Sequence, residues 1–307
     1  MDRNDPAKEP RRWSGPIETL GEDERRSLVH SMTAAAQPRI EIDQALSEGW
    51  FEVWYQPKID LKRKCLAGAE ALARIRHPQL GVLLPGSFLP GAGENSIARL
   101  TEHALVVTLQ NWSLFDDAGF NLHLAINVPV SALLDMPIAE LIATHRPASD
   151  RWPGVIVEIT EDQVVRDIKL TQAIAARLRV SGVQISIDDF GAGYSSMSSL
   201  RELPFVELKL DHSFVRDCAA DGTNAAICQT AIDLAHRFGG AVVAEGLENV
   251  ADLEALVAMG CDFGQGVLIA PPMPQERFLA LLMQRASKVR AQANEAVTAA
   301  PPMGRVA

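Results

Sequence analysis

Long apolar segments are missing from this sequence, since no run reaches the roughly 18 residues that a membrane-spanning helix needs. Its N-terminus also has no apolar core of the kind found in a secretory signal peptide. The cysteines form no CxxC pair and stand far apart, at Cys65, Cys218, Cys228 and Cys261. This pattern favours reduced, buried thiols over a disulfide framework. We therefore expect a cytoplasmic protein without membrane insertion.

Positive charge is also scarce: 29 Lys and Arg residues face 39 Asp and Glu residues, which gives a formal net charge of −10. A protein of this charge is not expected to bind a nucleic acid polymer through a general basic surface. A small phosphate-bearing ligand is compatible with it, because metal ions or a few local Arg and Lys residues can reverse the sign of charge at a site. The seven histidines form no HExxH pair, so that metal motif is absent.

By composition the 307-residue chain divides into three parts. Residues 1–38 are rich in charged residues, Pro and Ser and are predicted to be a mobile arm. Residues 39–287 are predicted to be the folded domain, long enough to bury a core without disulfides. Residues 288–307, rich in Ala, Pro and Val, are predicted to be a flexible tail that begins as a frayed helix.

Short apolar runs alternate with longer amphipathic segments between residues 39 and 287. The short runs predict eight strands, at 51–59, 66–74, 122–127, 155–159, 184–188, 205–211, 241–244 and 262–267. The longer segments predict helices at 97–117, 131–144, 163–180, 224–238 and 250–259. This alternation is typical of a parallel α/β barrel. The first two strands are joined by a link too short for a crossover helix, so they should form an antiparallel hairpin. The predicted fold is an α/β, TIM-like (β/α)8 barrel with one antiparallel strand.

Polar residues stand near the ends of the predicted strands, although barrel interiors favour Val, Ile and Leu. They are Asn127, Glu158, Glu161, Asp188, Asp189, Lys209, Asp211, Glu245 and Gln265. Catalytic groups of such barrels cluster at the C-terminal strand ends, so we expect a shared pocket. Amide and carboxylate oxygens suit Mg²⁺ or Mn²⁺. Two such cations, about 3.5–4 Å apart, can activate a water and stabilise the leaving oxygen of a phosphodiester.

Two features of these strand ends need a special explanation. Asp188 and Asp189 are neighbours, which on a regular strand would point to opposite faces. For both to reach one pocket the chain must turn there, and the segment 190–193, Phe-Gly-Ala-Gly, supplies flexible residues. Lys209 lies on the charged face of its strand, which should line the barrel interior. A buried lysine among carboxylates is costly unless paired, so Lys209 is either an ion-pair strut or a catalytic group.

Several motifs together resemble the EAL domain family. Residues 70–72 spell EAL within YQPKIDLKRKCLAGAEALARIRHP at 55–78. Further matches are EITE at 158–161, DDFGAGYSSM at 188–197, LKLD at 208–211, AEGLE at 244–248 and GCDFGQG at 260–266. Each motif alone is weak, but their order and spacing over about residues 40–285 are specific. The resemblance implies a phosphodiesterase that uses two Mg²⁺ or Mn²⁺ ions to open cyclic di-GMP to linear pGpG. It also implies a homodimer.

The resemblance implies a role for each matching residue. The metal ligands would be Glu70, Asn127, Glu158, Asp188 and Asp189. The catalytic positions would be Lys209, Glu245, Gln265 and Glu248, with Lys209 contacting the nucleophilic water. The substrate would be contacted by Gln56, Leu72 and Arg74, with Arg74 facing a phosphate. Glu161 would hold the loop that follows Asp188 and Asp189.

Other interpretations of the same motifs are weaker. The segment 189–191, Asp-Phe-Gly, also occurs in protein kinases, but no HRD segment precedes it here. The segment 191–193, Gly-Ala-Gly, lacks the third glycine of a dinucleotide-binding loop. Within the EAL family, a cyclic di-GMP receptor without turnover and a protein-binding regulator remain alternatives to an enzyme. Either would be expected to lack at least one of five residues, all of which are present: Glu70, Glu158, Asp188, Asp189 and Lys209.

Overall fold

A computed structural model of the protein describes residues 39–166, 168–191 and 203–298. The predicted arm at 1–38, the end of the predicted tail at 299–307, and most of the DDFGAGYSSM motif lie outside these ranges. Within the described ranges, no helix combines the length and the apolar character needed to cross a membrane.

The strands form a single sheet of ten, numbered along the chain. They are β1 (Phe51–Asp60), β2 (Cys65–His77), β3 (Gly81–Leu83), β4 (His123–Asn127), β5 (Val155–Thr160), β6 (Val183–Phe190), β7 (Glu207–Leu210), β8 (Ala241–Ala244), β9 (Phe263–Gly264) and β10 (Met273–Pro274). The order β1-β9-β8-β7-β6-β5-β4-β2 is closed into a barrel by pairing of β1 with β2. The short strands β3 and β10 add to β2 and β1 outside this ring.

Strand β1 is antiparallel to both of its barrel neighbours, β2 and β9, whereas the pairs from β2–β4 to β8–β9 are parallel. The predicted eight-stranded barrel with one antiparallel strand is therefore confirmed. The short turn between β1 and β2 is the reason: it leaves no room for a helix, so the chain returns directly beside itself.

The helices surround the barrel. They are α1 (Ile42–Ser47), α2 (Glu94–Asp117), α3 (Val130–Asp135), α4 (Ile138–His145), α5 (Glu161–Arg166), α6 (Ile168–Arg179), α7 (His212–Val215), α8 (Gly222–Arg237), α9 (Val250–Met259) and α10 (Gln275–Thr298). The predicted helix at 131–144 is two helices, because Met136 precedes Pro137 and is extended there. The segment predicted as 163–180 begins earlier, at Glu161, and is helical on both sides of residue 167, which lies outside the described ranges, as α5 and α6. Helix α10 passes residue 287, where the sequence suggested that the domain ends.

Alternation along each strand separates the barrel interior from the hydrophobic core. On β7, Leu208 and Leu210 belong to the core between the barrel and its helices. Glu207 and Lys209 instead make buried ion pairs with other strands. The charged face of β7 thus lines the interior, as its sequence pattern indicates.

Two lysines occupy opposite ends of this interior. Lys58 of β1 contacts both carboxylate oxygens of Glu207, at 2.5 and 2.6 Å, near the N-terminal ends of the parallel strands. Lys209, two residues after Glu207, lies nearer their C-terminal ends. The two buried cations therefore serve separate clusters.

Candidate active site

Lys209 lies at the centre of four carboxylates at the C-terminal end of the barrel. Its Nζ atom is 2.7 Å from Glu245, 2.9 Å from Glu158, 3.2 Å from Asp188 and 3.6 Å from Glu70. Glu70, Glu158 and Asp188 belong to β2, β5 and β6, and Glu245 directly follows β8. The fold thus brings together side chains that are as much as 175 residues apart, between Glu70 and Glu245.

Burial and mutual repulsion shape the electrostatics of this cluster. Burial opposes the charge on Lys209, but the surrounding carboxylates outweigh it and hold the lysine pKa well above its usual value. Burial and the charge of Glu70 raise the pKa of Glu158 well above normal. Burial, opposed by Lys209 and reinforced by Asp188, raises the pKa of Glu245 to about 8. One ammonium group cannot neutralise four carboxylates, so the cluster favours additional cations.

Glu70 is fixed by amide donors on both of its oxygens. Asn127 Nδ2 donates to Oε1 at 2.7 Å, and Gln265 Nε2 donates to Oε2 at 2.5 Å. Gln265 Nε2 also lies 3.1 Å from Gln56 Oε1, and Gln56 Nε2 donates to the Ala270 carbonyl oxygen at 3.2 Å. Burial favours the neutral form of Glu70, but Lys209 and the two amide donors outweigh it and lower the pKa of Glu70. Because Asn127 uses its nitrogen on Glu70, its amide oxygen remains an acceptor for another partner.

Asp188 and Asp189 reach the same side through a turn at Asp189 itself. Asp189 has φ 55°, and the pairing of β6 with β7 shifts register between Ile187 and Phe190. The sequence had suggested a turn in the following segment, of which Gly191 also has a positive φ, 98°. Burial together with the charge of Asp188 raises the pKa of Asp189.

The turn is contacted from α5. Glu161, the first residue of that helix, is buried, and its Oε2 accepts a hydrogen bond of 2.7 Å from the Gly191 N–H. Glu161 lies directly after β5, three residues beyond Glu158. Strand β5 therefore supplies Glu158 to the cluster and is followed at once by Glu161, which holds the turn after β6.

The donor set fits hard divalent cations. One oxygen from each of Asp188, Asp189 and Glu245 lies within 4.8 Å of the others. Glu70, Glu158 and the amide oxygen of Asn127 add further oxygen donors beside them. Oxygen-only donor sets suit Mg²⁺ or Mn²⁺ better than Zn²⁺.

A pocket of about 230 Å³ opens beside the cluster. Its walls are Gln56, Glu70, Leu72, His212, Glu245, Gly246, Glu248, Gln265, Gly266 and Val267. It therefore contains the predicted substrate-side residues Gln56 and Leu72 and the predicted catalytic residues Glu245, Glu248 and Gln265. Glu248 is exposed, whereas Gln265 is buried.

Arg74 is not among the residues that line this pocket, but it is buried two positions beyond Leu72 on β2. Its Nη1 donates to the Ala73 carbonyl oxygen at 2.8 Å, and its guanidinium carbon lies 5.8 Å from the centre of a Trp54 ring. Burial, opposed by Glu70, lowers the pKa of Arg74 to about 10. Its Nε makes no hydrogen bond within the described part of the chain, which leaves a buried donor without an acceptor.

His212 was not identified from the sequence as a site residue. The available signal was its position directly after Asp211, at the end of a strand that already carries Lys209. The short helix α7, which turns this residue onto the pocket wall, was not predicted.

Comparison with known proteins agrees with this geometry. The family model described as EAL domain matches residues 39–272. The chain is 38% identical over 239 residues to the cyclic di-GMP phosphodiesterase PA2567 of Pseudomonas aeruginosa, covering 77% of this chain and 41% of that protein. It is 35% identical over 271 residues to the cyclic di-GMP phosphodiesterase RocR of the same organism, covering 83% and 66%. The chain thus spans less than two thirds of the length of each of these relatives.

Two solved structures extend the comparison. The PaMucR phosphodiesterase in complex with c-di-GMP superposes with a TM-score of 0.71 at 33% identity, covering 82% of this chain and 99% of that chain. A manganese and cyclic di-GMP complex of BlrP1 from Klebsiella pneumoniae has a TM-score of 0.64 at 26% identity, covering 74% and 57%. The matched region includes the strands that carry the Lys209 cluster.

Proposed function

Because the chain belongs to the EAL domain family, we propose that it is a metal-dependent phosphodiesterase that hydrolyses cyclic di-GMP to linear pGpG. The observation that carries the proposal is the cluster around Lys209, in which four carboxylates from separate strands surround one lysine. Relatives named as cyclic di-GMP phosphodiesterases support the substrate. A receptor or adaptor would be expected to lack at least one of five residues, and all five are present in this chain: Glu70, Glu158, Asp188, Asp189 and Lys209.

Glu70, Asn127, Glu158, Asp188 and Asp189, with Glu245 beside them, would hold Mg²⁺ or Mn²⁺. Two such ions supply charge that activates water and stabilises the phosphodiester oxygens during displacement. The comparison with a manganese complex supports a divalent metal. We propose two ions per active site, either Mg²⁺ or Mn²⁺.

Each remaining side chain of the site has a distinct proposed role. Asn127 and Gln265 fix the orientation of Glu70. Lys209 donates from Nζ at the centre of the cluster, where it would orient the attacking water. Glu245 lies 2.7 Å from Lys209 Nζ, where its carboxylate would accept a proton from the attacking water. Gln56 and Leu72 would face the substrate, Arg74 would donate to a phosphate oxygen, and Glu248 would be a supporting catalytic position on the pocket wall.

Hydrolysis adds one water across one phosphodiester. The water oxygen forms a bond to phosphorus, the bond from phosphorus to the 3′-oxygen breaks, and that oxygen takes up a proton. The product is a linear dinucleotide with a 5′-phosphate. The second phosphodiester remains intact.

The test is incubation of the purified chain with cyclic di-GMP and either Mg²⁺ or Mn²⁺, followed by chromatography. We expect pGpG, no product in the presence of a chelator, and a loss of at least about 100-fold for Lys209→Met. Lys62→Met is the matched control, because Lys62 is an exposed lysine in the β1–β2 turn. If wild-type protein binds the cyclic dinucleotide and forms no pGpG with either metal, the receptor interpretation replaces the enzyme.

We also propose that the protein is cytoplasmic and forms a homodimer. Four free, buried cysteines support a reducing compartment. Light scattering on the purified chain measures its mass in solution, and a monomeric mass across micromolar concentrations would refute the dimer.

A further inference from the structure

His212 stands on the pocket wall at the end of β7. It is the first residue of α7 and follows Asp211, the N-cap of that helix. The pocket wall includes three carboxylates, those of Glu70, Glu245 and Glu248. Among the described residues that line the pocket, His212 is the only Lys, Arg or His. It is therefore the one lining side chain that can carry a positive charge.

Asp211 orients the His212 ring. One oxygen of Asp211 accepts hydrogen bonds from the Ser213 N–H and the Ser213 hydroxyl. The other oxygen, Oδ2, lies 3.1 Å from His212 Nδ1. Burial raises the pKa of Asp211, but Ser213 and His212 outweigh it, and the pKa lies below its usual value. An ionised carboxylate only accepts hydrogen bonds, so the proton of this pair is on Nδ1.

The other ring nitrogen, Nε2, has no hydrogen-bond partner in the part of the chain that the structure describes. The side chain is 72% exposed, so Nε2 is accessible to a ligand. The loop after β8 packs against the Cα and Cβ atoms of His212. A Cβ atom at Gly246 would lie 2.6 Å from His212 Cβ, and Gly246 has φ 65°, so this close approach needs a glycine.

We propose that His212 is a substrate-positioning residue, which donates from Nε2 to a phosphate oxygen of the cyclic dinucleotide. This inference rests on the proposed function. The substrate carries two phosphodiesters, and the one cleaved must lie at the Lys209 cluster. Arg74 is the other proposed phosphate donor, but it does not line the pocket, so His212 is the donor for a phosphate oxygen that lies on the pocket wall. The charged groups around His212 are Asp211 of the same strand end, Asp189 near the end of β6, Glu70 of β2, and Glu245 and Glu248 after β8. An anionic ligand beside this acidic wall needs a positively charged donor. Held between the Asp211 carboxylate at Nδ1 and a phosphate oxygen at Nε2, the His212 ring would donate from both of its nitrogens.

Kinetics of four variants test the proposal. We expect His212→Ala to raise the KM for cyclic di-GMP about 10- to 100-fold while kcat changes less than about threefold, because a charge-assisted hydrogen bond is lost from substrate and transition state alike. His212→Lys keeps a cationic donor and should stay within about threefold of wild-type KM. His212→Gln should fall between them, since its donor is neutral. Arg216→Ala is the matched control: it removes an exposed cation just past α7 and outside the pocket, and should leave both constants unchanged.

The possible failures are distinguishable. An unchanged KM for His212→Ala in an enzyme that makes pGpG overturns the role of His212 and leaves the proposed function standing. Rescue by Gln but not by Lys indicates contact with a guanine edge and overturns the phosphate contact. If the wild type makes no pGpG, the proposed function fails, and calorimetric titration with cyclic di-GMP decides the role of His212. A tenfold weaker Kd for His212→Ala then supports the contact, and an unchanged Kd overturns it.

Discussion

The backbone N–H of Gly191 donates a 2.7 Å hydrogen bond to Glu161 Oε2, which ties the start of α5 to the turn after Asp188 and Asp189. Asp189 has φ 55°, a conformation that residues other than glycine rarely adopt. The neighbouring structure must therefore hold this turn in place. Glu161 does so from outside the carboxylate cluster, so its effect on metal binding is indirect.

We expect Glu161→Ala to raise the metal concentration needed for half-maximal activity by about tenfold, the effect of losing one charge-assisted hydrogen bond. The measurement is a titration of activity with Mg²⁺ and with Mn²⁺. Asp162→Ala is the control, because Asp162 is the exposed neighbour on the same helix turn. An identical metal dependence in Glu161→Ala and wild type would reject this role.

Removal of Lys209 should reveal the charge imbalance of the cluster. Lys209→Met leaves four carboxylates, three of them buried, without their cation, so we expect the metal-free protein to lose about 3–5 kcal/mol in free energy of unfolding. Added Mg²⁺ or Mn²⁺ should restore part of this loss, since the metal replaces the missing positive charge. The measurement is urea unfolding with a chelator and with metal.

Lys58→Met is the matched comparison for that experiment. Lys58 is also a buried lysine inside the barrel, but its partner is Glu207 near the other end. We expect this variant to lose stability equally with and without metal. Rescue of both variants by metal would show that the effect is not specific to the Lys209 cluster.

The sequence predicted the barrel because short apolar runs alternate with longer segments in which the apolar residues recur with the helical period of 3.6 residues. It predicted the antiparallel β1 from the length of one turn. It did not predict α1, the start of α10 at Gln275 or the two-residue strand β10. Their positions depend on packing against the closed barrel, and no local pattern encodes that.

The sequence also indicated some features of the carboxylate cluster and not others. The strand-end positions of Glu158 and Asp188 indicated that their side chains would meet, whereas Glu70 was assigned to the same site only by the resemblance to the EAL domain family. The placement of Lys209 inside the barrel among carboxylates was predicted, and its ion pairs confirm it. The left-handed backbone of Asp189 does not follow from residue types; it lies where the register of β6 against β7 shifts, between Ile187 and Phe190.

Stability of the metal-free protein should depend on pH through Glu245. Burial, opposed by Lys209 and reinforced by Asp188, raises its pKa to about 8 in the folded state, against about 4.3 in an unfolded chain. The contribution of Glu245 to the free energy of unfolding is therefore fully present below about pH 4.3 and is lost as the pH rises towards 8. The loss is about 1.4 kcal/mol for each pH unit in this window. Glu245→Gln, whose side chain resembles the neutral acid, should lack this decrease of the free energy of unfolding with pH. Urea unfolding between pH 5 and 8 in a chelator measures it, and equal slopes in both proteins would contradict the assignment.

Arg74 and Arg76 offer a matched pair for the substrate contact. Both guanidinium groups lie about 6 Å from a Trp54 ring centre, at 5.8 and 6.0 Å. Arg76 is exposed and paired with Glu52, at 2.5 and 2.9 Å, whereas Arg74 is buried and its Nε lacks an acceptor in the described structure. We expect Arg74→Met to raise the KM for cyclic di-GMP about tenfold or more, because a desolvated donor gains most from an anionic partner. Arg76→Met should change KM less than about twofold, since its partner is within the protein. Equal effects on KM would show that the two arginines act only through Trp54 packing, and Arg74 would lose its assignment as a phosphate contact.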